Sequence, residues 1–137
     1  MNLLLAVMCE QAAMNPDGKL DIHGVITDLF AAGFPARQDQ IVLAMVLEWD
    51  SGDHGRFAFQ VDLLTPSGQP SVTLSGQTDV DARPFGRPPA RTQLIMPLET
   101  LVFPTPGPYR LRVRVKGREV ERPILYLAPS SPGRAPE

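Results

Sequence analysis

From Asn2 to Leu127 the chain is a succession of short apolar runs cut by Gly, Pro, Asn and Asp, and no stretch keeps a helical period. Runs of this length can bury their side chains only by pairing as strands and stacking as sheets. The pattern therefore predicts an all-β antiparallel sandwich, and by itself it names no activity. At 137 residues, 43% of them hydrophobic, the chain can build one core but not two, which implies a single domain.

The spacing predicts about eight strands. Leu3 to Ala13, the turn Asn15-Pro16-Asp17-Gly18-Lys19 and Leu20 to Phe30 read as a hairpin. Ala31 to Asp39 reads as a connection around Gly33-Phe34-Pro35. Ile41 to Trp49 is apolar at nearly every position, as a central strand covered on both sides would be. Phe57, Phe59, Val61 and Leu63 alternate with Ala58, Gln60 and Asp62, and a weaker strand carries Val72 and Leu74. Asp79 to Arg91 is a long Arg/Pro loop whose prolines leave no room for a ladder. Leu94, Met96 and Leu98 alternate next, and Tyr109 to Lys116 has the cleanest two-residue period in the chain. Gly117-Arg118 reverses it into Glu119 to Leu127. The domain is expected to span residues 1–127, with 128–137 a disordered tail rich in Pro, Ser and Gly.

Charge and composition narrow the function classes. Thirteen basic against fifteen acidic residues give a net charge of −2, with no broad basic field for a nucleic-acid backbone. No apolar run reaches the ~18 residues of a spanning helix, so no membrane partner is expected. The opening Met1 to Cys9 has a short apolar stretch, no preceding Lys or Arg, and the bulky Met8 before Cys9, unlike a lipoprotein signal. A single cysteine forms no internal disulfide, which suits the cytoplasm.

Arg110, Arg112, Arg114 and Lys116 project from one face of one strand. A Gly117-Arg118 loop would set Lys116 opposite Glu119 and Arg114 opposite Glu121. A Lys116-Gly117 loop would instead pair Arg114 with Glu119 and Arg112 with Glu121. Both registers give the cations carboxylate neighbours across the strand, so the row reads as a solvated, charge-paired face. Arg122, on the otherwise apolar side, has no assigned place.

Strands that alternate in direction sort the loops to two ends. One end would gather Asp17, Asp50, Asp53, Asp79 and Asp81 with His54, an oxygen-rich set of the kind that can bind calcium, although Arg83 and Arg118 would oppose a cation. The other end would carry Phe34, Val102 and Phe103, the two Phe residues each followed by Pro, either to plug the core or to dock a partner. Chemistry-bearing residues are few. Cys9, His23 and His54 make neither a nucleophile set nor a zinc site, and there is no Gly-rich phosphate loop. No catalytic residue and no cofactor are expected.

An opening strand ending near Cys9, the Asp17-Gly18-Lys19-Leu20 hairpin, the Phe34-Pro35 loop, Gly107 to Val113 and Lys116-Gly117-Arg118-Glu119 together resemble an uncharacterised family of short bacterial β-sandwich proteins. The resemblance spans nearly the whole chain and implies the fold without any functional residue. Gly107-Pro108-Tyr109 is also similar to immunoglobulin-like sandwiches, in which a Tyr at a strand corner bonds back to main chain. The expected function is a non-enzymatic protein-interaction or structural module, acting on a protein partner or on itself through a strand edge or the Phe34, Val102 and Phe103 end. The alternative is a calcium-binding sandwich using the Asp-rich end.

Overall fold

The computed structural model describes residues 1–130 and is all-β. Nine strands run in chain order: β1 (Asn2–Met14), β2 (Leu20–Val25), β3 (Asp28–Ala31), β4 (Ala36–Glu48), β5 (Gly55–Leu64), β6 (Pro70–Val80), β7 (Arg91–Phe103), β8 (Gly107–Val115) and β9 (Arg118–Pro129). They form a four-stranded sheet in the order β2-β1-β4-β7 and a five-stranded sheet in the order β3-β9-β8-β5-β6. All pairings are antiparallel except that of β3 with β9.

The core lies between the sheets, filled by the inward-facing half of each alternating strand. Ile41, Leu43, Met45 and Leu47 of β4 face Val61 and Leu63 of β5, Leu111, Val113 and Val115 of β8, and Leu125 and Leu127 of β9. The near-continuous apolar run of β4 is explained by its second face. Val42 and Ala44 point away from the core, into a smaller cluster with Val7, Cys9, Ala12, Leu20, Ile22 and Ile95.

That second cluster exists because β1 bends. Its ladder with β4 ends at Cys9–Val42, yet β1 runs on to Met14 paired only with β2. The β1–β2 hairpin folds over the outward face of the four-stranded sheet, far enough for Gln93 Nε2 of β7 to lie 3.4 Å from the Gly18 carbonyl oxygen. Apolar residues on both faces of β4 thus drive the hairpin down onto it.

Five sequence expectations change here, the first being that Ala36 to Asp39, read as part of a connection, already belongs to β4. Leu20 to Phe30 is two strands: β2 follows β1, then the chain crosses at Ile26 and Thr27 so that β3 joins the other sheet beside β9. This crossing makes nine strands among the described residues rather than about eight. The turn at Asn15 to Lys19 leaves the Asp50 end for the outward sheet face, because the hairpin that carries it folds over. Ala128 and Pro129 are strand, not tail, pairing with Phe30 and Ala31; the remaining expectation of a disordered tail falls on 131–137, outside the described residues.

Candidate functional site

The cation row on β8 is paired throughout. A two-residue Lys116-Gly117 turn, with φ of 54° and 70°, sets Val115 opposite Arg118, Arg114 opposite Glu119 and Arg112 opposite Glu121. Gly117 allows this left-handed pair, which suits the twist of the flanking strands. Arg114 Nε donates to Glu119 at 2.9 Å, and Arg110 lies 3.7 Å from Glu121 after the ladder shifts at Arg122-Pro123. Arg122 bonds to the Leu3 carbonyl oxygen, which gives that residue its place as a clamp between β9 and β1.

Arg112 reaches inward along the sheet to Asp62 of β5, donating from Nε at 3.2 Å and Nη2 at 2.9 Å. Asp62 is 1% exposed, and the same carboxylate accepts from Thr73 Oγ1 at 2.6 Å and from Gln60 Nε2. Burial works against its charge, but these hydrogen bonds outweigh burial and hold its carboxyl below the ordinary range. The group is a structural hub spanning β5, β6 and β8.

At the Asp50 end the carboxylates are occupied by the chain's own cations. Lys116 Nζ lies 3.1 Å from Asp50 and 2.8 Å from Asp53, and the Met1 amino group lies 2.8 Å from Asp50. Hydrogen bonds from Met1 and then Lys116 lower the Asp50 carboxyl to about 2, and Lys116 likewise lowers Asp53. The two carboxylates in turn raise the Lys116 ammonium. Asp79 is 3.1 Å from Arg56, Asp81 is exposed at the start of the 81–90 loop, and Asp17 lies away on the folded-over hairpin. The five expected calcium residues are therefore not gathered. No group of three or more His, Cys, Asp or Glu among the described residues is placed to hold a metal. His54 Nδ1 sits 2.9 Å from its own turn's Gly52 carbonyl oxygen.

The opposite end closes the core. Phe103 is 1% exposed and meets Tyr109 edge to face at 5.0 Å, so it belongs to the core and offers no docking surface. Phe34 packs against the same core, and only Val102, 45% exposed, faces solvent. Tyr109 donates from its hydroxyl to the Thr105 carbonyl oxygen at 2.7 Å and accepts from the Thr105 amide at 3.2 Å, tying the β7–β8 connection to the start of β8. Cys9 is buried with Sγ 3.4 Å from the Val42 carbonyl oxygen. Burial raises its thiol, against a lesser opposing effect of the Gln11 backbone. It is opposite Val25, whereas His23 is opposite Gln11, so the two are not a catalytic pair.

The feature that sequence reading passed over is Phe85. It stands fully exposed in the loop joining β6 to β7, in a turn closed by the Arg87 amide donating to the Pro84 carbonyl oxygen at 3.1 Å. Gly86, at φ 85°, supplies the left-handed third position that such a turn demands. The loop is anchored at its far end, where the Trp49 amide donates to the Ala90 carbonyl oxygen at 2.9 Å. Arg83 and Arg87 flank Phe85, both exposed and neither within ion-pair distance of a carboxylate among the described residues. A hollow of about 410 Å³ separates the loop from Asp50 to Asp53. The legible signal was the Arg-Pro-Phe-Gly-Arg string itself, an aromatic beside a Pro and a Gly that form a turn.

Residues 4–128 match the model of a family of unknown function, DUF6941, and the chain belongs to that family. No curated protein matches it.

Proposed function

We propose that this chain is a non-enzymatic interaction module whose contact surface is the Pro84–Arg87 turn, with Phe85 as anchor and Arg83 and Arg87 as its charged rim. The observation that carries the reading is a Phe held fully in water by a hydrogen-bonded turn. Burying such a ring in a partner is worth about 2–3 kcal/mol, and the ordered turn lowers the entropy lost on docking. Phe85 lies between two arginines, and aromatic and Arg side chains are enriched at the energetic centres of interfaces. The partner this chemistry fits is a protein with an apolar cup bordered by carboxylates, and the hollow between the turn and Asp50 to Asp53 extends the same contact surface.

The sandwich itself we read as immunoglobulin-like. Supporting this are the short strand β3 lying parallel to the last strand, β9, and the Tyr109 hydroxyl bonded back to Thr105 at the start of β8. The scaffold then does what such domains do with their loops: it holds a rigid contact residue at one end. We place the protein in the cytoplasm, consistent with its lone thiol, and assign it neither nucleic-acid nor membrane partners.

The test is affinity capture from the native host with the intact chain and with Phe85→Ser and Arg83→Glu/Arg87→Glu variants of unchanged melting temperature. One discrete protein, or the chain itself, is expected with the parent and absent with both variants. Capture of the same protein by all three would refute the reading.

A further inference from the structure

A second, independent contact site follows from the place where β1 leaves β4. The β1–β4 ladder stops at Cys9–Val42, but β4 continues back to Ala36 with a partner only in β7. On the side that β1 has vacated, the backbone between Ala36 and Gln40 has neither a strand partner nor a loop hydrogen bond among the described residues. Polar backbone groups left open at a strand edge are a template for another strand.

This edge borders a groove of about 640 Å³. Gln38 and Gln40 form one wall, Glu10 and Gln11 of the departing β1 another, and β3, an edge strand of the other sheet, lines the far side. Two open edges, one from each sheet, thus border one slot. Its rim carries the exposed apolar side chains of Val25 and Phe30. It also carries the carboxylates of Glu10 and Asp28, neither ion-paired among the described residues. The Glu10 side chain lies over Gly24, where an added Cβ would come within 2.8 Å of it, so the bare backbone of β2 sets its position.

We infer that this slot accepts an extended segment of another protein by strand addition to β4, and that the segment alternates Lys or Arg with apolar residues. Main-chain hydrogen bonds to Ala36–Gln40 supply affinity, and alternate side chains supply specificity. Basic residues meet Glu10 and Asp28, while the apolar ones cover Val25 and Phe30. At ~3.3 Å per residue, a guest of about five residues spans the open part of β4. Of this stretch, Gln38 and Gln40 line the slot, and Arg37 and Asp39 do not.

The test begins with hydrogen exchange on the full chain, followed by panning a random-peptide phage library on it. Amides within Ala36–Gln40 that point away from β7 are expected to exchange freely when unliganded and to become protected by the enriched peptides, which alternate basic and apolar residues. Affinity is expected to fall about tenfold in Glu10→Lys and in Asp28→Lys. N-methylation of one alternate set of peptide amides is expected to abolish binding, and of the other set to spare it. Library sequences without this alternation, binding indifferent to both variants, or no enrichment would overturn the inference. So would amides already protected in a concentration-dependent dimer, since a second copy would then fill the slot.

Discussion

Phe103 and Phe85 sit at opposite ends of the same sandwich, each beside a proline, and the fold uses them in opposite ways. Phe103 ends β7 on the inward face, where it fills the gap beside Tyr109; Phe85 rides a closed turn between sheets and stands fully exposed. The same contrast divides the cations. Those from Arg110 to Lys116 are all neutralised by Glu119, Glu121, Asp50, Asp53 or Asp62, while Arg83 and Arg87 are not paired among the described residues. The lesson is that residue type alone does not say how the fold uses a side chain: the same aromatic and cationic types are taken into the core and its ion pairs at one place and, among the described residues, left without an internal partner at another.

The largest effect that would break this comparison comes from the core side. Phe103→Ala should cost about 3–5 kcal/mol in urea unfolding, through lost burial and the cavity it leaves, and Phe103→Asp should fail to fold. A folded, stable Phe103→Asp protein would remove Phe103 from the core. Asp62→Ala comes next, at about 2–3 kcal/mol, because Arg112, Thr73 and Gln60 all lose their acceptor while Arg112 keeps some contact with water.

Acidification sharpens the contrast. The folded carboxyls of Asp50, Asp53 and Asp62 are all lowered, so their contribution is present above the unfolded value near 3.9 and is lost as pH falls towards about 2, the Asp50 value. Lys116 is raised, so its contribution is present below its unfolded value near 10.4 and is lost as pH rises through the folded one. Arg83→Glu/Arg87→Glu should leave both limbs of the melting-temperature profile in place, whereas Asp62→Asn should make the acid limb shallower, with Asp50 and Asp53 keeping the rest of it. The smallest effect belongs to the turn: Phe85→Ser should change stability by less than about 0.5 kcal/mol, while removing the partner.

The strand rhythm and the β8–β9 face were readable because both are local: alternation fixes the face, and the short loop leaves only two registers. The crossing at Ile26 and Thr27 was hidden in an apolar run that looks continuous from Leu20 to Phe30. The start of β4 was hidden because Arg37 to Gln40 is an unbroken polar run, where burial writes no pattern. The inward side of Phe103 was present in its two-residue spacing from Leu101, but Pro104 and Pro106 pointed to a loop. The Asp62–Arg112 bond joins residues 50 apart, beyond any local period. Phe85 was obscured by its loop, since prolines that exclude a strand say nothing about what a turn displays.

The measurement that addresses the central claim most directly is photo-crosslinking in the native host, with a crosslinking residue at position 85 and, as a control, at Met14, which is exposed on the folded-over hairpin. The account predicts one discrete crosslinked species from position 85, lost when Arg83→Glu/Arg87→Glu is added, and none from position 14. No species from position 85, or the same species from both positions, would contradict it.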